Sequence, residues 1–314
     1  MLEKQKKGNS ESGVFKELRR YKLIEQKAFY FGEGAEMYYN NGLQKKKHIS
    51  ALQEKYVPFI TKYISKEKKT LFVNLGCGNS LIEKCIFEDL FELGYNFSLL
   101  GVDSSEEMIH LSRENLKDVS FDHDFLCMDF TDDKLKDVLE EKNKDYDEML
   151  ISFVGGSTFG NIDSNYIADI LLDFLKSGEK LWIQVVISED NSQKTAKMLF
   201  DRYLPYLDFR GDFYFHPLKS FGLEKDSGEL FLKFEKEDAT GTMRFRFCFR
   251  SLEKRALFFE GKTMTLLPET EIELMNIRIF VPEGIKKIFE ERDFTFLDKD
   301  TINLKTGQFL FEKK

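Results

Sequence analysis

The chain has 314 residues, enough for one full α/β domain and a smaller second lobe, and its 42% hydrophobic and 32% charged residues are ordinary for a globular protein. A formal charge of −8 argues against a nucleic-acid partner, and no apolar run reaches the roughly 18 residues that a membrane span needs. Cys77, Cys85, Cys127 and Cys248 show no CxxC or Cys/His spacing, the four histidines offer no pair at metal-ligand spacing, and "MLEKQKKGNSESG" lacks the apolar stretch of a signal peptide. A cytoplasmic protein with reduced thiols and no bound metal is expected, and 32 Phe against one Trp forecast a Phe-rich core.

Residues 1–13 are polar and read as a mobile tail, and the basic clusters "KQKK" and "KKKH" as solvated segments. Apolar residues at helical spacing in "VFKELRRYKLIEQKAFYF" and "HISALQEKYVPFITKYISKEKK" predict two helices, with "FGEGAEMYYNNG" as a functional loop between them. The period then changes. "TLFVNLG", "FSLLGVD", "FDHDFLCMD", "YDEMLISFVG" and "EKLWIQVVI" are strand-like and alternate with helix-like segments, which predicts parallel βα units in a doubly wound, Rossmann-like sheet. Ligands of such sheets bind in the loops at the carboxyl ends of the strands.

After residue 190, "KTAKMLFDRYLPYL" reads as a helix. "GDFYFHPLKSFG", "GELFLKFEKED", "TMRFRFCFRSL", "RALFFEGKTMTLL" and "TEIELMNIRIF" alternate apolar and polar residues, as an antiparallel sheet would. His216 lies in the first of these runs. The segment from Pro282 to the end reads as a helix and a hairpin returning to the first sheet as its edge.

In "VNLGCGNS", Gly76 and Gly78 lie between the first strand and the first helix, where bare backbone permits a tight turn and close approach of a ligand. The loop lacks the third glycine of a dinucleotide fingerprint and the Lys and Ser/Thr of a P-loop. Asp103 ends the second strand, where a carboxylate can accept both hydroxyls of a ribose, and Asp129 ends the third. Glycines followed by acids at two successive strand ends favour S-adenosylmethionine over NAD.

Over residues 65–190 the sequence resembles the Rossmann-like, class I methyltransferases. The resemblance implies that Gly76, Cys77 and Gly78 pass close to the methionine part of the cofactor and that Asp103 holds the ribose. Asp129 and Phe130 would frame the adenine, and Ser104, Phe153 and Gly155 complete the cofactor set. Cys77, between glycines, is expected to pack rather than react.

The run "GGSTFGN" in "ISFVGGSTFGNID" is similar to the Gly-Ser-Thr-x-Gly-Asn signature of the histidine-specific methyltransferase family, which makes trimethylhistidine (hercynine) on the ergothioneine pathway. That likeness implies a split substrate lobe, residues 14–64 and 191–281, with 65–190 and 282–314 forming the cofactor domain. It places Asn161 at the substrate amino group as a catalytic residue, and Gly156, Ser157 and Thr158 along the substrate. From "EMYYNN", Tyr38 and Tyr39 would line the substrate pocket, Tyr39 also acting in catalysis.

Where the family carries a Glu-x-Ser element that reads the imidazole ring, this chain has Met275 and Ile277. Apolar residues there suit an acceptor with a less polar side chain and argue against histidine itself. The expected activity is methylation of the amine of an amino acid or other small molecule. Methylation at oxygen or carbon, or a non-catalytic protein that binds S-adenosylmethionine, are the alternatives.

Overall fold

The strands Lys69–Leu75 (β1), Asn96–Asp103 (β2), Glu148–Phe153 (β4) and Lys180–Val186 (β5) are buried almost throughout, the mark of a parallel sheet covered on both faces. In this computed structural model they join Asp122–Cys127 (β3), Phe294–Asn303 (β11) and Thr306–Lys313 (β12) in one seven-stranded sheet of order β11-β12-β5-β4-β1-β2-β3. β1 to β5 are parallel, β12 runs antiparallel to β5, and β11 antiparallel to β12. The structure describes residues 15, 18, 23–24, 26–30, 32–43, 54–155, 158–237, 240–259, 261–303 and 305–314.

Strand order reverses between β1 and β4, so the loops leaving their carboxyl ends, 76–80 and 154–161, open the crevice where doubly wound sheets bind ligands. Helices Leu81–Glu92 (α3), Glu106–Leu116 (α4), Lys134–Lys142 (α5) and Ser164–Phe174 (α7) follow β1 to β4, with a short helix Thr158–Asn161 (α6) before the last of them. Local chemistry sets where two of these begin. Ser105 Oγ accepts from Met108 N–H at 3.1 Å to start α4, and Asp163 accepts from Asn165 and Tyr166 N–H to start α7.

Helix 54–60 (α2), which precedes β1, packs Tyr56, Phe59 and Ile60 with Phe72, Phe87, Leu99 and Trp182 on one face of the sheet. On the other face, Val73, Ile151 and Ile183 meet Ile167 and Leu171 of α7 and Ile285 and Phe289 of Pro282–Glu290 (α11). The core is Phe-rich, as forecast: Phe72 meets Phe87 at 5.0 Å and Phe97 at 5.8 Å, edge to face. Each such ring contributes about 1.5–3 kcal/mol by burial.

The chain divides into two compact units. One comprises residues 39–189, 238–242 and 279–314; the other comprises 1–38, 190–237 and 243–278. The first contains the large sheet. The second contains Glu33–Leu43 (α1, save its last residues), helices Gln193–Tyr203 (α8), Tyr206–Phe209 (α9) and Gly211–Lys219 (α10), and five strands: Gly228–Glu237 (β6), Thr242–Ser251 (β7), Arg255–Phe259 (β8), Lys262–Leu266 (β9) and Glu271–Ile279 (β10). They form a β10-β7-β6 sheet and a β8-β9 ribbon. On β7 Phe245, Phe247 and Phe249 are buried on one face, while Arg244, Arg246 and Arg250 on the other pair with Glu235, Glu273, Glu229 and Glu271 of the flanking strands, the buried Cys248 standing among them.

Three expectations are corrected. "GDFYFHPLKSFG" forms helix α10: Phe213, Tyr214, Phe215, Pro217 and Leu218 are buried, while the more exposed Asp212, His216 and Lys219 recur at the three- and four-residue spacing of one helix face. "FGEGAEMYYNNG" contains helix α1 rather than a loop. Gly34 there serves packing, since a Cβ on it would lie 2.2 Å from the carbonyl oxygen of Phe29. In the terminal hairpin, β12 is inside the sheet beside β5, and only β11 is an edge. The tail and "KKKH" lie outside the described residues.

Candidate active site

The glycine loop turns back against β2: the N–H groups of Gly76 and Cys77 both donate to the carbonyl of Val102, at 2.8 and 3.1 Å. Gly76 (φ +68°) and Gly78 (φ +56°) occupy the left-handed region, but their surroundings differ. A Cβ on Gly76 would sit 2.6 Å from Cγ2 and 2.7 Å from Oγ1 of Thr158, so this glycine lets the two crevice loops touch. A Cβ on Gly78 would meet nothing within 4 Å. Helix α4 holds the loop from behind. Ser112 Oγ donates to the carbonyl of Gly78 at 2.7 Å and lies 2.9 Å from the hydroxyl of Ser80, and Asn115 Nδ2 donates to the carbonyl of Asn79 at 2.8 Å. The buried Cys77 thiol is pushed well above its ordinary value by desolvation, with the nearby Asp103 and Glu83 carboxyls adding to it, so it packs as expected.

Asp103 ends β2 half-buried, its Oδ2 accepting from Gly78 N–H at 2.9 Å and its Oδ1 from Ser105 N–H at 3.0 Å. Desolvation raises its pKa against the lowering by these backbone amides. The Ser104 N–H is also turned to this carboxyl, which with about four lone pairs can still accept a hydroxyl donor. Ser104 follows, its carbonyl accepting from the Cys127 thiol at 3.8 Å. The N–H of Met128 donates to the carbonyl of Asp103 at 2.9 Å, which brings the end of β3 alongside. There Asp129 Oδ1 takes the N–H and hydroxyl of Thr131, at 3.0 and 2.7 Å. Phe130 packs edge-on against Phe153 at 5.7 Å, and Phe153 against Phe159 at 5.7 Å, all three buried beneath the strand ends.

The loop after β4 is held by two amide side chains. Asn74 Oδ1, from β1, accepts from Ser152 Oγ at 2.9 Å and Val154 N–H at 3.2 Å, while Asn74 Nδ2 donates to Glu83 Oε1. Gln184 Oε1, from β5, accepts from Gly155 N–H at 3.1 Å and from the Tyr56 hydroxyl. Gly155 has φ +85°; Gly156 and Ser157 lie outside the described residues. Thr158 opens α6 and Asn161 closes it, with the Asn161 Oδ1 buried and without a hydrogen-bond partner among the described residues. An orphaned buried acceptor is costly unless a ligand completes it.

Asn74, Ser152 and Gln184 were missed in the sequence, although each is a polar residue inside an otherwise apolar strand. That intrusion is the signal that could have found them. Tyr38, Met275 and Ile277 belong to the other unit: Tyr38, on α1, packs edge-on against Tyr30 at 5.1 Å, Met275 is buried on β10, and Ile277 is half-buried there. Tyr39 follows Tyr38 in α1. His216 is on α10, its ring against Gly34, where a Cβ would come within 2.8 Å of it. Among the described residues no group of three or more His, Cys, Asp or Glu could hold a metal ion, and no helix is long and apolar enough to cross a membrane.

The open space at Gly78 and the acceptor capacity left on the Asp103 carboxyl are compatible with a ligand such as S-adenosylmethionine in this crevice. A sheet of this strand order, with a glycine loop after β1 and acids closing β2 and β3, defines a class I methyltransferase. Residues 11–301 match the family described as histidine-specific, S-adenosylmethionine-dependent methyltransferases, and the chain belongs to that family. S-adenosylmethionine is accordingly its cofactor. No curated protein gave a match.

Among solved structures the chain is similar to the PH0226 protein from Pyrococcus horikoshii OT3, with a TM-score of 0.46 and 15% identity over 86% of this chain and 92% of that one. It is also similar to the glycopeptide N-methyltransferase MtfA (TM-score 0.39, 10% identity, 82% and 94% covered). A third is the 1,6-didemethyltoxoflavin-N1-methyltransferase of Burkholderia thailandensis (TM-score 0.42, 9% identity, 88% and 83% covered).

Proposed function

We propose that this protein transfers a methyl group from S-adenosylmethionine to the amine nitrogen of an amino acid or other small molecule. The observation that carries this reading is Asn161: a buried side-chain carbonyl left unsatisfied at the end of α6, on the segment whose first residue touches the glycine loop. Such an acceptor suits an N–H donor. By holding one N–H of a neutral amine it would turn the nitrogen lone pair toward the methyl carbon, and in-line displacement needs little more than alignment and exclusion of water.

The bound cofactor supplies an electrophilic methyl on a sulfonium, whose C–S bond electrons return to sulfur as the C–N bond forms. Gly76, Cys77 and Gly78 would pass close to its methionine part, with open space at Gly78, Asp103 would hold the ribose hydroxyls, and Asp129 with Phe130 would flank the adenine. The proton shed by the methylated amine passes to solvent. Tyr38 and Tyr39 from α1, with Met275 and Ile277 from β10, are proposed to line the acceptor side. Their apolar character in the strand favours an acceptor less polar than histidine. A cytoplasmic location accords with the free cysteines.

Substitution of Asn161 by Ala tests the assignment. Turnover with the preferred amine should fall roughly 100-fold while cofactor affinity stays within about twofold. Unchanged kinetics would reject the role of Asn161, and an acceptor methylated at oxygen or carbon would reject the amine.

A further inference from the structure

The first turn of α3 carries an acid that the roles above leave unused. Glu83 is 2% exposed, accepts from Asn74 Nδ2, and faces the loop after β4 so closely that a Cβ on Gly155 would lie 3.1 and 3.2 Å from its two oxygens. It is wedged at the point where strand order reverses, between both crevice loops. Among the described residues no lysine, arginine or histidine pairs with it. The titratable groups that face it are the Asp103 carboxyl of β2, the Cys77 thiol of the glycine loop, the Tyr56 hydroxyl of α2 and the Cys85 thiol of its own helix, all neutral or negative.

Desolvation raises Glu83 to about 8, Asp103 adds to the rise, and the N–H groups of Glu83 and Ile82 at the helix start oppose it. Its carboxyl is thus mostly protonated at neutral pH. A buried acid with no cation beside it is stable in that form, and becomes stable as a carboxylate only when a ligand brings positive charge. Both loops that enclose it belong to the cofactor crevice, and the cofactor's methionine part ends in an α-ammonium.

We propose that Glu83 receives the α-ammonium of the cofactor, giving up its own proton to solvent as the cofactor binds. Asn74 donates to Oε1 before and after, so the side chain keeps its place while its charge changes. Glycine at 155 places no side chain of its own over the carboxyl. The inference rests on the assignment of S-adenosylmethionine as cofactor.

The test is calorimetric titration at pH 7 in two buffers of different ionisation enthalpy, with wild type and Glu83→Gln. The ligands are S-adenosylmethionine, S-adenosylhomocysteine and 5′-methylthioadenosine, which keeps the nucleoside and lacks the amino-acid part. Wild type should release most of one proton with the first two and none with the third. Its affinity for the first two should rise by up to about tenfold per pH unit below pH 8 and fall again once the ligand's own ammonium loses its proton. Glu83→Gln, which preserves the shape and the bond from Asn74, should abolish the release, flatten the profile and leave methylthioadenosine affinity unchanged.

A release that persists in the variant, or that methylthioadenosine also produces, overturns the proposal. Should the variant not fold, absence of proton release by wild type overturns it alone. No binding of S-adenosylmethionine by wild type would instead overturn the cofactor assignment, and this inference with it.

Discussion

Replacing Gly76 by Ala perturbs the crevice at one atom, and the structure sets the size of the effect. At φ +68° an L-residue is disfavoured by about 1–2 kcal/mol, and a Cβ placed 2.6–2.7 Å from two atoms of Thr158 forces an overpacking shift worth about 1–3 kcal/mol. A stiffer unfolded chain offsets about 0.4–1 kcal/mol of this. The net loss should be about 1–5 kcal/mol. Thr158→Ala removes both overlapping atoms and leaves Thr158 Cβ, at 3.1 Å, as the nearest neighbour. In that background Gly76→Ala should recover the packing part and keep only the backbone part, a coupling of about 1–3 kcal/mol between the sites. Urea unfolding read by the fluorescence of Trp182 measures it, because this single tryptophan is fully buried in β5 of the same unit. Strictly additive losses would show that contact with Thr158 is not why residue 76 is glycine.

Asp103→Ala should weaken S-adenosylmethionine binding by about 10- to 100-fold, the loss of one or two hydrogen bonds to a carboxyl, and titration calorimetry would read it; unaltered affinity would remove the ribose assignment. Burial pushes both Tyr203 and Tyr214 up to about 12. The folded form therefore favours the protonated phenols, and their contribution is fully present below pH 10 and lost as pH rises towards 12. Circular dichroism during alkaline unfolding should show stability falling in that window, and Tyr203→Phe with Tyr214→Phe should flatten the fall.

Alternating strands and helices from 69 to 186 were readable because β1, β2, β4 and β5 are mainly apolar runs and the helices between them are amphipathic. The positions of Gly76, Gly78, Asp103 and Asp129 at strand ends followed from the same alternation. Residues 211–219 were misread because "FYF" between two polar residues resembles a strand, whereas Asp212, His216 and Lys219 in fact share one helix face and the aromatic residues are covered. Gly34 and Gly42 suggested a loop at 32–43, since composition cannot distinguish a glycine that turns the chain from one that lets a helix approach Phe29. Glu83, Ser112 and Asn115 left no trace in the pattern: acids, serines and asparagines on helices are ordinary, and only the tertiary structure brings these three to the glycine loop.

The place of β12 has a consequence for how the chain is made. Trp182 on β5 is hydrogen-bonded to Gln308 on β12, its neighbour in the sheet but 126 residues later in the sequence. Until 306–313 leave the ribosome, β5 presents an open edge from a strand reading "KLWIQVV". At about 5–20 residues per second that exposure lasts roughly 6–25 s, long enough for edge-to-edge pairing between nascent chains. Translation speed through residues 190–305, rather than final stability, would then set the yield of folded protein.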